Sequence, residues 1–177
     1  RPSSDEDKIV TKAKEHFEKT LVEISGELVG SVAALEHPTK DKKLNYGEIF
    51  LRDNVPVMIY LITQKRYEIV KKFLSVCLEL QSTSYQTRGV FPTSFIEENG
   101  ELIGDYGQRS IGRITSADAS LWWPILCWFY VKKSGDHSFG KSQSVQRGIQ
   151  LLLDLVLHPT LEGTPVLFVP DCAFMID

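Results

Sequence analysis

Apolar side chains recur at Val10, Ala13, Phe17, Leu21, Ile24, Leu28, Val32 and Leu35, in steps of 3, 4, 4, 3, 4, 4 and 3, with Lys, Glu and Ser between them. Steps of three and four keep side chains on one face of a 3.6-residue turn, so the spacing predicts one long amphipathic helix. His37-Pro38 closes it, because the residue before a proline is pushed out of the α region. Gly26, Gly30 and Ser31 fall among the outward positions, which suits packing within a domain better than a coiled coil. After a charged loop over 39–43, a second helix is expected from Asp53. It tolerates Pro56 in its first turn and carries Val57, Met58, Tyr60, Leu61 and Ile62. A third, over about 66–81, sets Ile69, Phe73, Val76 or Cys77, and Leu80 on one face.

The helical period disappears over 82–115. There Asn99-Gly100 lies between the apolar runs Phe95-Ile96 and Leu102-Ile103, a pattern that predicts a hairpin. A loop of this length in a compact domain is usually functional or disordered, and its aromatic content speaks against disorder. Helix resumes after Asp118. Residues 121–130 are apolar on every side, so this helix has to be surrounded by protein. Gly135 and Gly140 bracket a turn, and a fifth helix over about 142–158 places Val145, Ile149, Leu152 and Val156 on one face. The last stretch, 164–177, is apolar without a polar tail, the pattern of a chain that stops within a core. The expectation is an all-α fold of about five helices in two layers. Residues 1–8 read as a flexible tail, and 9–177 as part of a single domain.

Composition narrows the function classes. The 177 residues are 42% hydrophobic and 24% charged with a net charge of −3, which offers no basic stripe for nucleic acid or an anionic membrane. No apolar run reaches the roughly 18 to 20 residues of a membrane span. The polar, acidic start does not resemble a secretory leader. Cys77, Cys127 and Cys172 are far apart in the chain and in no ligand spacing, which favours free thiols in a reducing compartment over zinc or disulfides. His16, His37, His137 and His158 form no metal-binding pair, so no metal is expected.

Three constellations can carry chemistry. In the first, Arg52-Asp53 at a helix entrance sets a planar fork of donors beside a carboxylate, a combination that satisfies vicinal sugar hydroxyls. Alone, the plainer reading of Asp53 as a helix cap is stronger. In the second, Asp118 precedes Trp122-Trp123 at the mouth of the apolar helix. Indole faces make platforms for pyranose rings, although two adjacent tryptophans cannot both point inward on one helix. The alternative makes Asp118 a cap and both tryptophans core. A helix N-terminus favours an ionised carboxylate whereas a general acid has to hold a proton, so apolar neighbours such as Trp122 must outweigh the dipole. The third is the loop Gly104-Asp105-Tyr106-Gly107-Gln108-Arg109-Ser110-Ile111-Gly112-Arg113. It has the residues of a polar site wall but neither the context nor the ending of a phosphate loop.

Together these residues resemble the alkaline/neutral invertase family of plants and cyanobacteria. The resemblance runs through Leu44-Asn45-Tyr46, Phe50-Leu51-Arg52-Asp53 with Val55-Pro56, and Gly89-Val90-Phe91-Pro92 with Ser94-Phe95. It continues through 107–113, Asp118 with Trp122-Trp123, Ser134-Gly135-Asp136, and Cys172-Ala173-Phe174-Met175-Ile176-Asp177. It implies an (α/α)6 barrel, here about its first half, and inverting hydrolysis of sucrose to glucose and fructose in the cytoplasm without a metal or organic cofactor. Asp118 falls on the family's general acid, while Tyr46, Arg52, Asp53, Arg113, Trp122 and Trp123 are the expected substrate-binding residues. The general base is expected outside these residues, so the implied partners are sucrose and the C-terminal half of the same domain. Homo-oligomerisation stays open. Two other readings keep their place: a hydrolase of another small α-glucoside, and a catalytically silent helical interaction module. The silent module predicts an exposed Asp118 and no convergence of Arg52, Asp53 and Asp118.

Overall fold

The computed structural model describes residues 5–32, 47–85, 87–107, 114–116, 118–157 and 173–175. Expectations for Tyr46, Arg113 and Cys172, and for most of the segments 39–43 and 164–177, fall outside them. Six helices and seven short strands are described: α1 (Asp5–Thr20), β1 (Leu21–Ile24), β2 (Glu27–Ser31), β3 (Ile49–Phe50), α2 (Leu51–Thr63), α3 (Tyr67–Glu79), β4 (Ser94–Glu98), β5 (Glu101–Asp105), β6 (Ile114–Ser116), α4 (Ala119–Ser134), α5 (His137–Gly140), α6 (Gln143–Val156) and β7 (Ala173–Met175). The fold is helix-rich, as the spacing predicts, with small sheets added to the all-α expectation. Among the described residues no helix is long and apolar enough to cross a membrane.

The largest correction concerns the first helix. It stops at Thr20, and Leu21, Ile24 and Leu28 lie in an antiparallel hairpin instead. Ser25 (φ 52°) and Gly26 (φ 80°) make its turn, two consecutive left-handed residues that suit the right-handed twist of paired strands. Steps of three and four also fit a hairpin when a two-residue turn and a bulge between Val22 and Glu23 reset the alternation. At the other end α1 takes in residues 5–8, which the sequence leaves to a tail.

The second helix begins at Leu51, ahead of the expected Asp53, because the Leu51 N–H is already satisfied by the Thr93 carbonyl at 2.9 Å. That bond continues the short ladder of β3 on β4, so strand pairing does the work of a side-chain cap. Pro56 therefore lies inside the helix, past its first turn. The expected hairpin forms with Asn99 and Gly100 at its turn (φ 54° and 81°), and β3, β4 and β5 make a three-stranded antiparallel sheet in that order.

Helices α2, α3 and α4 pack on one another and α3 also covers β2 and α6. Trp123, Phe73, Phe91, Phe95, Leu61 and Leu74 are fully buried in their shared core. On α3 the buried residues include the predicted Ile69, Phe73, Val76 and Cys77. On α6 they are Val145, Gly148, Leu152 and Leu155 rather than Val156, so the buried face is rotated from the predicted one. The cause is close approach: a Cβ on Gly148 would lie 2.4 Å from Leu78 Cδ1 of α3. Gln81 fastens this junction, donating to the carbonyls of Gly89 and Gly148, each at 2.9 Å. At the C-terminal end of α4, Asp136 accepts hydrogen bonds from Lys71 (2.7 Å), Tyr130 (3.1 Å), Ser138 (2.6 Å) and the Phe139 N–H (3.0 Å), tying α3, α4 and α5 together.

Candidate active site

Helices α2 and α4 start side by side, and Arg52, Asp53, Asp118, Trp122 and Trp123 stand at those two starts. Arg52 is the second residue of α2, and its Nη1 lies 3.8 Å from Asp118 Oδ1 just before α4. Its Nε lies 3.9 Å from Asp53 Oδ1. One guanidinium thus sits between two carboxylates that are distant in sequence. The spacings are those of ion pairs rather than tight hydrogen bonds. The side chains of Arg52, Asp53 and Asp118 are 29%, 56% and 43% exposed, so water and a polyhydroxyl ligand can reach them.

Asp118 occupies the N-cap position of α4 but does not cap it with its side chain. Its backbone carbonyl accepts from the Leu121 and Trp122 N–H groups at 2.9 and 3.0 Å. Its carboxylate accepts instead from Trp122 Nε1 at 3.2 Å, one helical turn on. A carboxylate that capped the helix would be held by backbone donors of the first turn. This one turns aside toward Arg52 and an indole, so the plain capping interpretation does not describe it.

The two tryptophans divide as adjacent helical residues must. Trp122 is 36% exposed and borders Asp118. Trp123, expected as a second sugar platform, is fully buried. Its indole stacks on Phe91 (centroids 4.7 Å apart, 18° between planes) and donates to the Leu74 carbonyl at 3.0 Å. Trp123 is thus a core residue. It anchors the start of α4 with Ser120, whose hydroxyl accepts from the Phe91 N–H at 3.0 Å.

Residues 13–177 match the alkaline and neutral invertase family over nearly the whole chain. The chain belongs to that family. A probable alkaline/neutral invertase F of Arabidopsis thaliana is 33% identical over 189 residues, an alignment that takes in 100% of this chain and 38% of the plant protein. The mitochondrial neutral/alkaline invertase 1 of Oryza sativa subsp. japonica is 36% identical over 176 residues, or 90% of this chain and 28% of its own length. Cytosolic invertase 1 of the same species is 32% identical, over 96% of this chain and 32% of its own. The chain therefore spans about a third of the length of these curated relatives, whose names place them in more than one compartment.

Three further polar residues of this chain are buried. Glu48 is buried and accepts from Ser94 Oγ at 2.6 Å, across β3 and β4. Asp105, also buried at the end of β5, accepts from the Gly107 N–H at 3.0 Å. Asn54 is buried in α2, where its amide takes up both backbone groups of Ser31, accepting from the N–H at 2.8 Å and donating to the carbonyl at 2.9 Å. For Glu48 and Asn54 the cue in the sequence was a polar side chain next to apolar ones, whereas Asp105 lies in the loop read as a polar site wall. Among the described residues no cluster of three or more His, Cys, Asp or Glu is arranged to hold a metal ion.

Proposed function

We propose that this chain is the N-terminal part of an invertase that hydrolyses sucrose to glucose and fructose with inversion. The observation that carries the reading is the meeting of Arg52, Asp118 and Trp122 at the paired starts of α2 and α4. A silent interaction module gives no reason for that convergence. In the proposed reaction Asp118 donates its proton to the glycosidic oxygen, and the bond from the glucosyl anomeric carbon to that oxygen breaks. Fructose departs while water adds to the anomeric carbon from the opposite face. Arg52 and Asp53 hold hydroxyls of the glucosyl unit as donor fork and acceptor, Trp122 lies beside the ring, and Tyr46 and Arg113 complete the binding set.

Inversion requires a second carboxyl group about 6.5 to 9.5 Å from the first, to activate the water. We assign that base to the part of the longer relatives that this chain does not span. The same holds for the rest of the (α/α)6 barrel, of which the α2, α3 and α4 pack forms one side. The place of action we propose is the cytoplasm, since one of the relatives is named a cytosolic invertase.

The test is the longer enzyme carrying this segment, assayed on sucrose and on a panel of other small α-glucosides, with the released glucose followed by proton NMR. Sucrose preference with β-glucose appearing first is the expected result. Initial α-glucose would reject the inverting mechanism, and preference for another glucoside would reassign the substrate.

A further inference from the structure

Strand β3 is two residues long and runs into α2 without a loop, since Phe50 ends the strand and Leu51 begins the helix. Its register on β4 pairs Ile49 with Phe95 and Phe50 with Ser94. Backbone bonds hand that ladder on. The Thr93 carbonyl accepts from the Leu51 N–H at 2.9 Å, and the Thr93 N–H donates to the Asp105 carbonyl at 2.7 Å. A slip of β3 by one residue would turn the first turn of α2 by about 100° and carry Arg52 away from Asp118. Two paired residues are little to hold such a register.

Glu48, immediately before the strand, supplies a side-chain lock. It is 5% exposed, and its Oε2 accepts at 2.6 Å from the hydroxyl of Ser94, which is fully buried. With Phe50 opposite Ser94, Glu48 and Ser94 form a diagonal pair on one face, a separation that a long side chain can span. A one-residue slip would put Glu48 on the opposite face and separate it from that donor. A buried carboxylate stabilises a fold less well than an apolar side chain of similar size, and the best-attested gain from one is a fixed register.

We propose that Glu48 is a positioning residue for the candidate site: bonded to Ser94, it fixes β3 on β4 and so aims Arg52 at the glucosyl unit beside Asp118. This role depends on the reading of Arg52 as a ligand of glucosyl hydroxyls given above. Glu48 acts through the backbone of β3 and α2 on a guanidinium whose Nη1 lies 3.8 Å from Asp118 Oδ1. Asn54 ties the same turn of α2 to Ser31 of β2, so loss of the Glu48 contact shifts that turn without releasing it.

The experiment is sucrose kinetics on the longer enzyme carrying Ser94→Ala, Glu48→Ala or Glu48→Gln, each alone and combined with Arg52→Ala. Ser94→Ala and Glu48→Ala should each raise KM about tenfold while kcat falls less than about threefold, because a displaced binding group weakens ground state and transition state alike. Glu48→Gln keeps a carbonyl that accepts from Ser94 and should stay within about threefold of the parent. In the Arg52→Ala background, Ser94→Ala should change kcat/KM by less than about twofold, since no guanidinium remains to be aimed. A role in stability alone would lower the melting temperature and leave KM untouched. An unchanged KM in folded Ser94→Ala enzyme overturns the proposal, as does an equal loss of kcat/KM with and without Arg52. Should Ser94→Ala fail to fold, Glu48→Ala carries the same comparison, and a loss in Glu48→Gln equal to that in Glu48→Ala overturns it as well. Arg52→Ala with the parent's kcat/KM removes the reading of Arg52 itself. A large loss there beside parental kinetics in Ser94→Ala removes the Glu48 role alone.

Discussion

The Arg52 guanidinium reaches from the first turn of α2 to within 3.8 Å of the Asp118 carboxylate at the head of α4. The guanidinium and the Trp122 indole N–H, 3.2 Å from the same carboxylate, fix its position between the two helix starts. Asp118→Asn keeps shape and hydrogen bonding but removes the transferable proton. In the longer enzyme it should lower kcat on sucrose by about 10²- to 10⁴-fold. Its melting temperature should stay close to that of the parent, as expected for a side chain 43% exposed to solvent. Steady-state kinetics beside circular-dichroism melting checks both halves, and wild-type turnover would remove Asp118 from the mechanism.

Trp122 and Trp123 provide a matched pair of opposite sign. Trp122→Phe keeps an aromatic face but deletes the donor to Asp118. Hydrogen bonds to charged groups are worth about 1.5 to 3 kcal/mol, so kcat/KM should fall by roughly ten- to a hundredfold with stability little changed. Trp123→Phe leaves the Leu74 carbonyl unpaired in the core and loosens the stack on Phe91. It should cost about 1 to 3 kcal/mol of stability with far less effect on activity. Urea unfolding and sucrose kinetics on both variants would expose a reversed pattern at once.

The Asp136 junction gives stability a definite pH dependence. Hydrogen bonds from Lys71, Ser138 and the Phe139 N–H hold its carboxyl well below the ordinary carboxylate range. A folded-state value below the unfolded one adds stability at pH above the unfolded value, about 4, and that stability is lost as pH falls toward the folded value. Asp136→Asn should therefore lower the melting temperature at pH 7, and the gap to the parent should narrow below about pH 4. A gap independent of pH would mean that the charge of Asp136 does not contribute.

Burial pushes the Cys77 thiol well above its ordinary range and the Cys127 thiol to about 11. Both stay protonated and shielded at neutral pH, so neither should react with a disulfide reagent in the native protein. Addition of denaturant should release both, and stoichiometric native labelling at either position, located by peptide mass, would contradict their burial between α3 and α4.

The 177-residue chain by itself should not cleave sucrose, since the proposed base lies elsewhere. Mixed with the separately produced remainder it should regain activity if both parts fold. Sucrose cleavage by the purified chain alone, with matched Asp118→Asn material as the blank, would overturn the division of roles.

What the sequence conveyed depended on how local its cause was. Asn99-Gly100 specifies its own turn, and the apolar row of α3 needs nothing beyond its helix, so both were legible. The spacing from Val10 to Leu35 was ambiguous, and Ser25-Gly26 decided it by taking up left-handed angles that a helix forbids. The meeting of Arg52 with Asp118 depends on two helices packing side by side, which spacing cannot convey; only the likeness to the invertase family pointed to it. The inward turn of Trp123 follows from adjacency to Trp122, yet which of the pair turns in depends on Phe91 and Leu74. Gln81 and Asn54 answer to backbone groups of other segments and left no pattern at all.

Asn54 has one further effect, on association. A two-stranded hairpin has open edges, and an edge strand with free N–H and carbonyl groups is a template on which another chain can add. At Ser31 both groups are already taken by the Asn54 amide, which imitates the next strand over a single residue. Gly30 allows that approach, because a Cβ there would stand 2.9 Å from Ile49 and 3.0 Å from the amide oxygen itself. A side chain projecting from a helix thus acts as a stopper on the ladder, and at that position a stray strand finds neither a donor nor an acceptor to pair with.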